Sequence, residues 1–174
     1  MALFQESVLK QQLSNLDNGL LVPSWKQFSS YFLVQSKQGD ILSKKESEYQ
    51  TIFLQELFGK CLGYTLDSAN TSEQNLFREY KNQTDSGLAD GTIKINDEVL
   101  CVIELKSSKT KELSKIEDQA FGYLTANQNC KYVVTSNFRK LRFYIQNKTE
   151  FEEFDFFNLT EERFIVMPID QPGF

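Results

Sequence analysis

The order of secondary-structure signals along the chain predicts an α/β domain with a central sheet under helical cover. Three observations carry that expectation: a helical front half that ends in a capped amphipathic segment, a β-meander containing a buried hairpin arm, and a return to helix followed by two further strands. The 174 residues fit one domain, large enough to bury a core without disulfides.

Each element has its own signal. Val8 to Leu21 and Ser24 to Val34 show helical spacing, with Asn18-Gly19 as a stop signal after the first. Lys44 to Leu62 is the stronger helix: Ser43 can cap it, and Glu46 stands three residues later, as a capping box requires. At about 100° per residue, Leu54, Leu57, Phe58 and Cys61 form one stripe, with Gln50 inside it, Glu46 at its edge and Glu48 well away. Gly63 then ends the helix. Leu76 to Lys81 reads as a strand and Asn82 to Leu88 as a loop. Gly91 to Ile95 and Val99 to Leu105 are the arms of a hairpin turning around Asn96-Asp97-Glu98. Lys111 to Ala126 returns to helix. Lys131 to Thr135 and Leu141 to Gln146 are strands, with Asn137 and Arg139 in the turn between them. The acidic, aromatic tail from Glu150 carries a short helix from Glu161.

Composition narrows the chemistry. A hydrophobic fraction of 40% and a charged fraction of 25% are ordinary for a soluble globular protein. No stretch approaches the roughly 18–20 consecutive apolar residues of a membrane span. Met1 to Lys10 carries Glu6 and no long apolar run, so it does not read as a signal peptide. Cys61, Cys101 and Cys130 are odd in number and widely spaced, which fits reduced thiols in a cytoplasmic protein. The chain has no histidine, which excludes Ser-His-Asp and Cys-His hydrolases, His-based nucleases and the common zinc sites with His ligands. Any catalysis must run on carboxylates, lysine, hydroxyls or a bound metal. The net charge of −5 argues mildly against nucleic-acid binding. A basic groove can nevertheless sit inside an acidic total, and Lys106, Lys109, Lys111 and Lys115 form the candidate patch. The same cluster reads equally as a solvated helix start.

Val99 to Ile103 is apolar on both faces, so its strand should be central, and it runs directly into Glu104-Leu105-Lys106. Residues at i and i+2 share a face of the sheet. Burying such charges costs several kcal/mol unless they are paired or hold a metal. The hairpin sets Asp90 opposite residue 103, 104 or 105, depending on loop length; a three-residue loop pairs it with Glu104 itself. A one-residue slip flips the face, although closeness along the strand survives all three registers. Gly91 leaves room for close approach. Two carboxylates can bind a hard ion such as Mg²⁺ through oxygen, and a lysine beside them can orient water or stabilise developing charge. The alternative is a solvated strand-end salt bridge with Asp90-Gly91 as a turn.

Ala89-Asp90-Gly91-Thr92-Ile93 followed by Val102-Ile103-Glu104-Leu105-Lys106 resembles the PD-(D/E)xK nuclease superfamily, with Ala89 where the motif's name has proline. Glu46-Ser47-Glu48-Tyr49-Gln50, with Phe53-Leu54, Leu57-Phe58 and Leu62-Gly63-Tyr64, resembles the helix preceding the site in restriction–modification nuclease domains. Gln119-Ala120-Phe121-Gly122-Tyr123 resembles the Gln-xxx-Tyr motif of type I and type IIG restriction enzymes. Val133-Val134-Thr135-Ser136-Asn137, then Leu141-Arg142-Phe143-Tyr144, resembles the closing strands of those domains.

The resemblance spans Ser43 to about Gln146. It implies a restriction-endonuclease-like core, a central mixed sheet flanked by helices, in a single nuclease domain over 1–174 (core about 43–146). It also implies a place within a longer restriction–modification protein, which the ending Gln171-Pro172-Gly173-Phe174 fits, the alternative being a standalone protein. Asp90 and Glu104 become ligands to Mg²⁺ (or Mn²⁺) and Lys106 the catalytic lysine. Glu46 is preferred over Glu48 as the helix carboxylate, with its capping role beside Ser43 as the equal alternative. Gln119, one helical turn from Tyr123, is placed near the site or the DNA, the alternative being a surface amide beside a core tyrosine. The implied partners are double-stranded DNA and methyltransferase, specificity or motor domains in the same or a partner chain, since this chain carries no methyltransferase signature or Walker loop. A repair or recombination nuclease, or an inactive binding or assembly module on the same core, are the competing readings.

Overall fold

Alternating apolar residues build six strands, and each lies beside its neighbour in sequence, giving the order β1-β2-β3-β4-β5-β6. The computed structural model describes residues 18–69, 72–84, 86–165 and 167. The strands are β1 (Leu76–Lys81), β2 (Leu88–Ile95), β3 (Glu98–Leu105), β4 (Tyr132–Ser136), β5 (Lys140–Ile145) and β6 (Phe151–Asp155). All neighbours pair antiparallel except β3 and β4, which run parallel. A parallel pair needs a crossover, and here helix α4 (Ser114–Ala126) supplies it. The other helices are α1 (Asn18–Phe32), α2 (Gln35–Ser43), α3 (Glu46–Phe53, continued as a π-helix over Leu54–Cys61) and α5 (Glu161–Ile165). The result is an α/β fold, a mixed sheet flanked by helices, consistent with a restriction-endonuclease-like core.

The sheet separates two cores. One face packs Ile103, Leu105, Val134 and Leu141 against an aromatic cluster that includes Phe28, Phe32, Phe53, Phe138 and Phe156. The other face is smaller and lies under α4, where Ala120 meets Ala89, Val102, Val133 and Tyr144. The expected stripe of Leu54, Leu57, Phe58 and Cys61 is buried, and Gly63 ends its helix with a φ of 77°.

Several expectations need correction. Asn18 and Gly19 do not stop a helix; they open α1, while most of the first expected helix lies outside the described residues. Ser43 does not cap α3. It ends α2 and its Oγ bonds back to Asp40 O, and it is Glu48 whose carboxylate accepts from the Lys45 N–H at 3.0 Å. The hairpin turn has two residues, not three: Asn96 and Asp97 both have positive φ, as a two-residue type I′ turn requires, and Glu98 pairs with Ile95. Helix α2 and strand β6 have no counterpart among the expected elements. No helix among the described residues is long and apolar enough to cross a membrane.

Candidate active site

A two-residue turn alone would set Asp90 opposite Ile103. The pairs Ile95–Glu98 and Lys94–Val99 follow that register, but the next are Ile93–Cys101, Thr92–Val102 and Gly91–Ile103. Leu100 is therefore an extra residue on β3, a bulge that moves the register by one. Carried one step further, the shifted register sets Asp90 level with Glu104. Of the three alternatives left open by the sequence, the structure selects residue 104.

At this point the sheet opens. β2 stays with β1 as far as Leu88–Lys81, and β3 stays with β4 as far as Leu105–Ser136, while pairing between β2 and β3 stops at Gly91–Ile103. Asp90 fills the gap: its Oδ2 accepts the Leu105 N–H at 2.7 Å, in place of a ladder carbonyl. Helix α3 lies close, because a Cβ on Gly91 would stand 3.2 Å from the Leu54 side chain. That proximity lets Gln50 donate to Asp90 Oδ1 at 3.0 Å. In the sequence Gln50 is visible only as a polar residue inside an apolar stripe, a signal that by itself assigns it no role. The π-helical turn begins just beyond it, and such turns cluster at functional sites.

Lys106 completes the cluster. Its Nζ lies 2.7 Å from Glu104 Oε1, 3.1 Å from Leu105 O and 3.3 Å from Glu46 Oε1. Glu48 is taken up by the cap, and it is the Glu46 carboxylate that reaches Lys106. Asp90, Glu104, Lys106 and Glu46 are thus brought together. Gln119 is not: it sits on the exposed face of α4 and donates to Tyr123 Oη at 2.7 Å.

Three carboxylates gather about one ammonium, and two of them, Asp90 and Glu104, are shifted. Burial, then the Asp90 charge, pushes Glu104 up to about 7, against the pull of Lys106. Burial also raises Asp90, outweighing the Leu105 N–H, Lys106 and Gln50. Burial would lower Lys106, but Glu104, Glu46 and Asp90 together hold it above the usual lysine range.

A hard divalent ion needs oxygen donors with free lone pairs, and the cluster has them. Glu104 is 1% exposed, and its Oε2 is buried without a hydrogen-bond partner. Each Asp90 oxygen accepts one N–H and keeps a further lone pair. Among the described residues no three His, Cys, Asp or Glu side chains form a ready-made metal cage. Two carboxylates with several waters are, however, the habit of Mg²⁺, so the residues fit that ion. A cavity of about 230 Å³ opens beside Asp90, lined by Gln50, Thr51, Asp67, Arg78 and Glu79. Glu79 falls between the pairs Arg78–Gly91 and Tyr80–Ala89, level with Asp90, and has a φ of 48°.

No family model matches the chain, and no curated protein matches it. Among solved structures, the cryo-EM structure of a DrdV–DNA complex is similar over 80% of this chain and 87% of that chain, at 17% identity and a TM-score of 0.44. That likeness is too slight to weigh.

Proposed function

We propose that this chain is a metal-dependent endonuclease domain that hydrolyses DNA phosphodiester bonds in a restriction–modification system. The observation that best supports the reading is the meeting of Asp90, Glu104, Lys106 and Glu46 where β2 and β3 part. Asp90 and Glu104 would hold Mg²⁺ or Mn²⁺. When bound, the ion supplies a more acidic water and positive charge beside the phosphate.

The remaining work falls to the chain itself. Hydrolysis adds a water oxygen to phosphorus, breaks one P–O ester bond and returns a proton to the leaving oxygen. Lys106 Nζ, on giving up one of its three present acceptors, would donate to the attacking water or to a phosphate oxygen as charge builds there. Glu46 keeps that ammonium charged and aimed. Gln50 and the Leu105 N–H hold the Asp90 carboxylate in one orientation. Gln119, on the exposed face of α4, would meet the DNA rather than the reacting atoms. Duplex DNA is the substrate. Methyltransferase, specificity or motor domains in the same or a partner chain would supply modification and targeting, in the cytoplasm.

The test is DNA incubated with the protein, with and without Mg²⁺, alongside Lys106→Ala and Asp90→Ala. Cleavage is expected only from the wild type with metal. Cleavage that persists in either variant would sink the assigned site.

A further inference from the structure

The linear patch Lys106, Lys109, Lys111 and Lys115 does not survive folding as one surface. Lys106 turns inward to Glu104 and Glu46, and Lys115 pairs with Glu112 at 3.4 Å. A different set takes its place. Lys44 and Lys45, in the link between α2 and α3, and Lys109 and Lys111, between β3 and α4, are all exposed. None of the four forms an ion pair among the described residues.

Side-chain contacts hold these two segments side by side. Ser108 Oγ donates to Leu42 O at 3.2 Å, and Lys106 Nζ reaches Glu46, the residue after Lys45, at 3.3 Å. Asn137 Nδ2 donates to Thr110 O at 2.7 Å, fixing the loop between Lys109 and Lys111 to the β4–β5 turn. Two stretches distant in sequence, carrying four exposed lysines, therefore lie together beside the carboxylate cluster.

We propose that this lysine rim docks the phosphodiester backbone of duplex DNA, an assignment that rests on the nuclease reading above. An acidic chain, with carboxylates at its reactive centre, repels a polyanion everywhere except where cations gather. Exposed lysines without a fixed partner are suited to phosphates, which need charge rather than one geometry. Placed beside Glu46 and Lys106, the rim brings the backbone to the point where β2 and β3 part.

The experiment measures binding of a fluorescent duplex by anisotropy, in EDTA so that no metal-dependent cleavage runs, across a salt series. The variants are Lys44→Glu/Lys45→Glu and Lys109→Glu/Lys111→Glu. The charge-matched control is Lys131→Glu/Lys148→Glu, at the opposite end of the sheet, where Lys131 bonds to Leu100 rather than near Ser136. Each rim variant should weaken binding by about tenfold or more and lower the slope of log K against log salt by about 2, near 0.9 for each phosphate no longer neutralised. The control should change neither by as much. Equal losses in rim and control variants would overturn the proposal, as would wild-type binding too weak to detect at about 100 μM, the weak end of non-specific affinity. Unaltered binding in both rim variants, with wild-type cleavage intact, removes the rim and leaves the nuclease. Lost binding in the rim variants, with no Mg²⁺-dependent cleavage by the wild type, keeps the rim and removes the nuclease.

Discussion

Glu104 and Glu153 stand on one cross-sheet row, which runs Glu104–Thr135–Arg142–Glu153 from β3 to β6, and each touches a lysine at 2.7 Å. They ionise in opposite directions. Burial would raise Glu153, but Lys140 and Arg142 hold it below the ordinary carboxylate range. Glu104 is pushed up to about 7. The difference lies in the supply of cations. At the β5–β6 end Lys140 and Arg142 serve Glu153 and Glu117, two for two. At the β2–β3 end Lys106 serves Glu104 and Glu46 with Asp90 close by, one for three. A balanced cluster is a structural clasp, whereas one whose carboxyls are pushed up by burial and by each other is a candidate functional site.

The largest effect that would sharpen this comparison is on chemistry. Lys106→Ala should lower Mg²⁺-dependent cleavage by about 10²–10³-fold, the usual cost of one donor to developing charge, in a gel assay at matched protein. Arg142→Ala should act on the other cluster. By leaving Glu117, 12% exposed, with the Tyr144 hydroxyl but no cation, it should cost about 3 kcal/mol in urea unfolding, the low end for breaking a buried pair.

Glu104→Gln should invert the sign. The folded carboxyl keeps its proton up to about 7 while the unfolded one releases it earlier, so wild-type stability falls as pH rises through that window. The glutamine variant should therefore be more stable by roughly 1–3 kcal/mol at pH 8, with the gain fading by about pH 5, and cleavage lost. Equal effects at both pH values would break the comparison. Glu153→Gln gives the smallest effect, because Glu153 is 29% exposed and solvent screens it. Its depressed pKa contributes stability above the unfolded value, lost as pH falls through the folded one. A destabilisation of about 0.5 kcal/mol near pH 7, shrinking in acid, should appear in melting curves.

Much of the centre was legible in the sequence because sheet periodicity is rigid: Glu104 and Lys106 share a face wherever the strand begins. Glu46 was only half legible, since the sequence offers it equally as the capping partner of Ser43, and only the end of α2 at Ser43 removes that role. Strand β6 was missed because its inward positions are Glu152 and Phe154, and a buried glutamate reads as surface until Arg163 is seen beside it. Helix α2 buries only Ile41 and so leaves no stripe. The position of Gln119 was set by analogy, and geometry places it on the solvent side of α4.

The extra residue at Leu100 lies between the hairpin tip and the two acids. Changes of chain length on its two sides are therefore not equivalent. Segments inserted at Asn96-Asp97 would leave Asp90 level with Glu104, so the tip is open to variation and to grafting. Deleting Leu100, a change almost invisible in composition, would slide Asp90 back to Ile103 and disarm the centre while leaving the strands to pair. The hairpin thus carries a tip whose length does not bear on the two acids and a residue count on β3 that does.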